Sequence, residues 1–310
     1  MERERIHRRL LQWYRHRRRP LLWRQRSWTP YEVLVREVML QQTQSSRVEQ
    51  ALPAFLQRFP TLQALAAAPL ADVLQQWAGL GYYARARALW RCARLLLERY
   101  GATIPEDERL LRRLPGIGPY TSAALLVFAF GRQDVPLIDT NIRRVLLRVT
   151  GLAATPPAPA QLRELARAWI PTGASAEWHE ALMDLGATIC TARHPRCSEC
   201  PIAQWCRSAH RVLPPPPRSA RREPEFAGLP RRLWRGRLLR LLVERNPLPL
   251  KHAAELLFGS APSVEQRRWL LELVAALERD GLLDCRNGIL CLPNAPQALR
   301  ESTPSAGEPR

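Results

Sequence analysis

Four cysteines constrain this chain more than any other feature. Cys190, Cys197, Cys200 and Cys206 lie in the run CTARHPRCSECPIAQWC with six, two and five residues between them, so one short loop gathers four thiols around a single object. Clustered thiolates are the ligand set of zinc or of an iron-sulfur cluster. Structural zinc sites usually join two Cys-x2-4-Cys knuckles set far apart, whereas here all four ligands fall within seventeen residues. That compactness favours a [4Fe-4S] cluster over zinc. The remaining cysteines, Cys92, Cys285 and Cys291, are thinly scattered, which argues against four unrelated core thiols. Disulfides are disfavoured too, because an arginine-rich chain whose first residues lack a continuous apolar h-region is expected in a reducing compartment.

At 310 residues and 46% hydrophobic, the chain can bury a large core and is expected to divide into two or three domains. Its longest apolar run, Ala123 to Phe130, is far short of the ~20 residues that span a bilayer. The expectation is a soluble monomer of the cytoplasm, associated with the nucleoid and with no membrane partner. A formal net charge of +19 points to a polyanionic partner, nucleic acid before a membrane surface. Of the 47 basic residues only Lys251 is lysine. Part of the arginine bias can reflect genomic base composition, so charge alone decides little.

Helix-period segments separated by Pro and Gly run over 31–44, 47–58, 61–67, 70–77, 82–100, 107–113 and 119–130. Further helices are expected near 139–150, 160–170 and 175–187, with no convincing strand before the cysteines. A basic helix over 3–18 carries the apolar stripe Ile6, Leu10, Trp13 and Tyr14. After Arg211, LPPPPRSARREPEFAGLP cannot hold a core and reads as a linker over 211–230. Helices at 231–245, 249–258 and 263–279 precede GLLDCRNGILCLP, where Asn287-Gly288 between apolar runs signals a β-hairpin. Three helices and a hairpin suggest a winged-helix-like module over 231–295, ahead of a disordered tail over 296–310.

Two further motifs carry chemistry. LRRLPGIGPYTSAALLVFAF sets Leu114, Gly116, Ile117 and Gly118 between two helices, as a helix-hairpin-helix does. Glycines permit positive φ and close backbone approach, so hairpin amides and the next helix N-terminus can hold a DNA phosphate. VPLIDTNIRRVLLR puts Asp139 at a helix start, where its plain role is an N-cap worth about 1 kcal/mol. Hairpin, aspartate and four-cysteine loop in that order are more specific than any one alone. With Trp23-Arg24, REVMLQQTQ (36–44), GLGYYARARAL (79–89), IDTNIRRV (138–145) and EALMDLGATIC (180–190), they make residues 10 to 210 resemble the helix-hairpin-helix DNA glycosylases with an iron-sulfur cluster. Within these, the chain is most similar to the adenine glycosylases, which remove undamaged adenine mispaired with 8-oxoguanine or guanine in base excision repair.

The resemblance implies a mainly α fold. A barrel-like helical lobe (28–135) would be inserted between an N-terminal helix (1–27) and a cluster lobe (136–210), with double-stranded DNA in the cleft between lobes and a [4Fe-4S] cluster on the four cysteines. It makes Glu37 the general acid that protonates adenine N7, a task that needs a raised pKa and that the apolar Leu34, Val38 and Met39 suit. Without the motif Glu37 would read as a surface glutamate. Asp139 then stabilises the oxocarbenium ion and assists water, the two acids dividing the work as a glycosidase pair does. Tyr120 stands where related lyases carry a catalytic lysine. With no internal amine before Lys251, sugar chemistry is expected to use water and the enzyme to be monofunctional. By the same carry-over Gln42 and Tyr82 enter the stack vacated by an extruded base, and Trp23, Arg24 and Glu180 line the adenine pocket. The basic stretch Arg193-His194-Pro195-Arg196 would clamp phosphates. A cluster fully ligated by cysteine has no open position, so its part is structural or redox-tuning.

Residues 225–310 do not resemble the Nudix-like C-terminal domain of longer family members, which leaves 8-oxoguanine recognition to the catalytic lobes or the winged-helix-like tail. Two other readings stand. A mismatch thymine or uracil glycosylase of the same superfamily would suit Tyr120 and Asp139, although Gln41-Gln42-Thr43 and Tyr82-Tyr83 argue against it. A non-catalytic DNA-binding or redox-sensing protein would use the cluster as a switch.

Overall fold

A computed structural model describes residues 1–211 and 223–293. The expected linker over 211–230 falls partly, and the expected tail over 296–310 wholly, outside the described residues. Along the chain run α1 (Glu2–Arg17), α2 (Pro30–Leu40), α3 (Ser45–Arg58), α4 (Leu62–Ala67), α5 (Leu70–Gln76), α6 (Ala84–Tyr100), α7 (Glu108–Leu111), α8 (Pro119–Phe128), α9 (Thr140–Thr150), α10 (Pro159–Ala168) and α11 (Ser175–Thr188). Then come β1 (Glu225–Phe226), β2 (Leu229–Pro230), α12 (Arg231–Glu244), β3 (Leu248–Pro249), α13 (Leu250–Phe258), α14 (Val264–Arg279), β4 (Asp284–Arg286) and β5 (Ile289–Cys291). The fold is mainly α, as expected. Among the described residues no helix is long and apolar enough to cross a membrane.

Contacts divide the chain into two units, Met1–Gln41 with Ile104–Ala220, and Gln42–Thr103 with Arg221–Arg310. Stretches 28–41 and 104–135, expected in one lobe with 42–103, thus join the N-terminal helix and the cysteine loop. The reason is packing: α2 lies on α8, and α11 packs on α1, α8 and α9. α2 starts sharply because Thr29 and Glu32 form a reciprocal capping box with Pro30 at the first helical position. It is buried continuously from Val33 to Met39, and α8 from Thr121 to Val127. Both are core helices rather than amphipathic surface ones.

The second unit packs α4 and α5 on α6. Its C-terminal module runs α12-β3-α13-α14-β4-β5, with the strands in the antiparallel order β3-β5-β4. This is the element order expected of a winged helix. Asn287 (φ 51°) and Gly288 (φ 73°) make the turn between β4 and β5, the paired left-handed residues of a type I′ hairpin. The short β1–β2 hairpin lies where a linker was expected. It forms because Phe226 stacks on Trp269 at 5.3 Å and meets Trp234 edge-on at 6.2 Å, giving this stretch an aromatic anchor that its Pro and Arg content obscures.

Candidate active site and cysteine loop

Glu37 sits in the buried stretch of α2, its side chain 3% exposed. The equally buried Arg36 donates from Nε to Glu37 Oε1 at 2.9 Å, and its Nη2 lies 2.8 Å from the same oxygen. Oε2 accepts no hydrogen bond of good geometry from any described residue. Leaving a buried acceptor unsatisfied costs roughly 1–3 kcal/mol, so this oxygen favours a donor, and the Tyr120 hydroxyl beside Glu37 is one. Arg36 also stands over the rings of Trp23 (5.9 Å) and Phe128 (5.4 Å), tying Glu37 to one of the residues expected in the adenine pocket.

Tyr120, in the first turn of α8, brings the two acids into one site. Burial first, then the charges of Glu37 and Asp139, push its pKa well above the ordinary phenol value, against the opposing pull of Arg36. The hydroxyl therefore stays protonated and is a donor at neutral pH.

Asp139 is the N-cap of α9. Its Oδ1 accepts from the Ile142 amide at 2.6 Å and its Oδ2 from Asn141 Nδ2 at 3.0 Å. Burial nevertheless raises its pKa, outweighing these donors. Both expected roles are thus compatible: the cap fixes the carboxylate in position while burial keeps it from being a plain surface cap.

Two helices, α9 and α11, and the start of the cysteine loop support that carboxylate. Arg144, one turn along α9, donates from Nη2 to Asn141 Oδ1 (2.8 Å) and to Gly186 O (2.6 Å), and from Nε to Cys190 O (2.7 Å). Asn141 is pressed against α11 at Gly186, where a Cβ would lie 2.6 Å from Asn141 Cβ. Only glycine allows this approach. Gly186→Ala is expected to lower stability by about 1–3 kcal/mol through overpacking, read as a lower denaturation midpoint. The buried His179 accepts from the Leu137 amide at Nε2 (3.1 Å) and donates from Nδ1 to Ser175 O (2.7 Å). Burial pushes its pKa down to about 4, so it is neutral and steadies the segment that leads into Asp139.

Arg24 and Glu180 are ion-paired within a larger network that the sequence did not reveal, while Trp23 faces Arg36. Arg24 donates from Nη1 to Asp184 Oδ2 (2.6 Å) and from Nε to Glu180 Oε1 (3.2 Å). Arg19 donates to Asp184 Oδ1 at 2.6 Å, and the Tyr14 hydroxyl donates to Glu180 Oε2. Asp184 is fully buried and paired with both arginines. Its only sequence signal is its place one turn after Glu180 on α11.

At the hairpin, Leu114-Pro115-Gly116-Ile117 forms a turn closed by the Ile117 amide on Leu114 O (3.2 Å), with Gly116 at φ 76°. Pro followed by Gly suits a type II turn. Gly118 is the N-cap of α8, and a Cβ there would meet nothing within 4 Å. Gln41 Nε2 donates to Gly116 O (3.2 Å) and to Thr121 Oγ1 (3.1 Å). That makes Gln41 a hairpin support missed in the sequence.

In the second unit Gln42 (φ 56°) and Tyr82 (φ 48°) both adopt left-handed backbone conformations, uncommon for residues other than glycine and enriched at functional positions. Tyr82 is 48% exposed. Arg85 joins the two loops: its Nη2 donates to Thr43 Oγ1 (2.9 Å), Leu80 O (3.1 Å) and Gly81 O (3.1 Å). The guanidinium is 5.4 Å from the Trp77 ring centre and 5.6 Å from that of Tyr82, and burial pushes its pKa down to about 10.

The four cysteines of the loop face one another. Burial, and after it the neighbouring thiols of Cys190, Cys206 and Cys197, push the Cys200 thiol up to about 12. Arg148 is buried against this set, donating from Nη1 to Cys190 Sγ (3.4 Å) and Thr191 O (2.7 Å) and from Nη2 to Ala192 O (2.9 Å). Of the basic stretch between the first two cysteines, Arg196 is engaged within the loop, bridging Glu199 and donating to Thr188 O (2.7 Å). Arg193 and His194 are exposed.

Residues 35–172, which contain Glu37, the hairpin, Tyr120 and Asp139, match the family model for the HhH-GPD superfamily base excision DNA repair protein. Residues 190–206, bounded by the first and last cysteines, match the iron-sulfur binding domain of endonuclease III. An adenine DNA glycosylase of Mycobacterium tuberculosis is 43% identical over 236 residues, 75% of this chain and 77% of the relative. One of Mycolicibacterium smegmatis is 40% identical over 259 residues, 83% of this chain and 87% of the relative. The chain belongs to the adenine DNA glycosylase family. Among solved structures, a thermostable thymine-DNA glycosylase superposes with a TM-score of 0.62 at 28% identity, over 66% of this chain and 95% of that one.

As a member of the adenine DNA glycosylase family the chain carries a [4Fe-4S] cluster, and Cys190, Cys197, Cys200 and Cys206 have the chemistry to hold it. Four thiolates around such a cluster carry net negative charge, and the buried Arg148 supplies the cation. Among the described residues no three His, Cys, Asp or Glu side chains gather tightly enough to hold a single metal ion.

Proposed function

We propose that this chain excises adenine from duplex DNA by hydrolysis, where adenine faces 8-oxoguanine or guanine. The observation that carries the reading is the convergence of Glu37, Tyr120 and Asp139, in a chain whose family is that of the adenine glycosylases. The flipped base is protonated at N7 by Glu37. The C1′–N9 bond then breaks with its electron pair leaving on adenine. Asp139 opposes the positive charge that develops on the sugar, and water adds to C1′ with its proton passing to a carboxylate. Tyr120, kept protonated, donates to Glu37 and stands close to Asp139, placing the two acids in one site. When bound, the cluster braces the 190–206 loop and offers no open coordination site for hydrolysis. Gln42 and Tyr82, tied together by Arg85, fill the gap left by the extruded base and meet its orphaned partner. The protein acts as a monomer.

Single-turnover base release from duplexes carrying A opposite 8-oxoguanine, A opposite G, and T opposite G tests the reading. Adenine should leave the first two, with strand breaks only after alkali. Release of thymine but not adenine would instead favour the mismatch thymine glycosylase that the solved-structure likeness suggests.

The pH dependence has a definite sign. Because the folded pKa of Asp139 is raised, its carboxylate takes up a proton at a higher pH than a free aspartate would. The release rate should fall on acidification through that raised value. Asn141 holds the pKa down by donating to Oδ2, so Asn141→Ala should move the acid limb of the rate profile to higher pH. An unmoved limb would contradict the assignment.

A further inference from the structure

The C-terminal module meets the segment before it around the turn that presents Tyr82. At the end of α14, Gly281 takes φ 59°, and a Cβ built there would lie 2.7 Å from Arg87 Nη2 and 2.8 Å from its Cζ and Nε. The guanidinium of Arg87, one turn into α6, therefore lies flat on the Gly281 backbone. The adjacent Asp280 is ion-paired with Arg235 of α12 and also faces Arg87. On the other side of the turn the Tyr83 hydroxyl feels Arg240 and Glu244 of α12, and Arg232 at the start of α12 feels Tyr82. Elements from both ends of the module thus converge on residues 82–87.

We propose that the C-terminal module docks on the first turn of α6 and holds the Tyr82 turn in its exposed, left-handed form, so that the module sets how well the chain distinguishes the base opposite its target. The inference rests on the glycosylase reading for the task of Tyr82, but the docking itself does not. Its physical basis is strain. Gln42 and Tyr82 hold left-handed backbone conformations that are costly for residues with a side chain, and these persist only where surrounding structure over-determines them. Arg85 fastens the turn from within the lobe, and the module fastens it from outside. Gly281 satisfies two demands at once, a positive φ at the helix end and the absence of a Cβ beneath Arg87.

The test uses the full chain with its cluster. Asn tolerates the left-handed conformation, so Gly281→Asn keeps the end of α14 while placing a side chain where the Arg87 guanidinium lies. Arg87→Ala and the double variant complete a cycle. Amide hydrogen exchange over residues 79–87 reads the docking, with exchange in α12 and α14 as the folding control. The ratio of duplex affinities for A opposite 8-oxoguanine against a matched A–T pair reads discrimination. Gly281→Asn should speed exchange over 79–87 and lower the discrimination ratio about tenfold, with α12 and α14 still protected, and should add little in the Arg87→Ala background. Unchanged exchange over 79–87 overturns the docking; faster exchange with an unchanged ratio overturns the proposed control of discrimination. Failure of the glycosylase reading would appear separately, as absence of Glu37-dependent adenine release from the unsubstituted chain, with the exchange arm intact.

Discussion

Glu37→Gln is expected to cut single-turnover adenine release by about 10²–10⁴-fold, the range for losing a positioned general acid, while duplex affinity stays within a few-fold. Glutamine keeps the size and can still accept from Arg36 through its amide oxygen, so the geometry at Oε1 survives. What is lost is the proton for N7. The size of the effect follows from the proposed role: Glu37 is buried, Arg36 occupies one of its oxygens, and Tyr120 beside it keeps its phenol proton. A surface glutamate replaced in this way would change the rate by less than the scatter between preparations. Comparing release rate with affinity in the same duplex separates chemistry from binding.

Asp139→Asn should be the second large loss, about 10²–10³-fold in release, the scale set by removing one electrostatic stabiliser of a transition state. Its stability effect should have the opposite sign. Asn is as good an N-cap as Asp, so the bond from the Ile142 amide is preserved. The raised pKa means that the ionised carboxylate is disfavoured in the folded state above that pKa, a penalty relieved as the pH falls through the raised value toward the unfolded one. The uncharged variant escapes the penalty at neutral pH. Its melting temperature should match or exceed that of the unsubstituted chain at neutral pH, and the advantage should vanish in acid. A variant that loses activity and stability together would mean that Asp139 is chiefly a cap.

The helices were legible because periodicity and punctuation agree along this chain. The pattern over 119–130 becomes α8 at Pro119–Phe128, and that over 263–279 becomes α14 at Val264–Arg279. Two of the misses, both at helix ends, share one cause. The helix expected over 31–44 stops at Leu40, and that expected over 82–100 begins at Ala84, because Gln42 and Tyr82 turn left-handed. Local propensity cannot announce a strained residue held by tertiary contacts. The same limit hid the partners of the site. Asp184, Tyr14 and Arg19 act through groups far along the chain from them, and Arg148 meets the cysteine loop from the last turns of α9. The candidate catalytic pair and the cysteine loop stand out in the sequence because each sits inside a short motif, whereas the residues that hold them are defined only by folding.

Hydrolytic excision of adenine is tested most directly by running the A–8-oxoguanine duplex in oxygen-18 water under single-turnover conditions and analysing base and strand by mass spectrometry, with borohydride present in a parallel sample. The account predicts free adenine, an intact strand with one oxygen-18 at the abasic sugar, and no borohydride-trapped adduct. A trapped protein–DNA adduct, or strand cleavage before alkali, would contradict it.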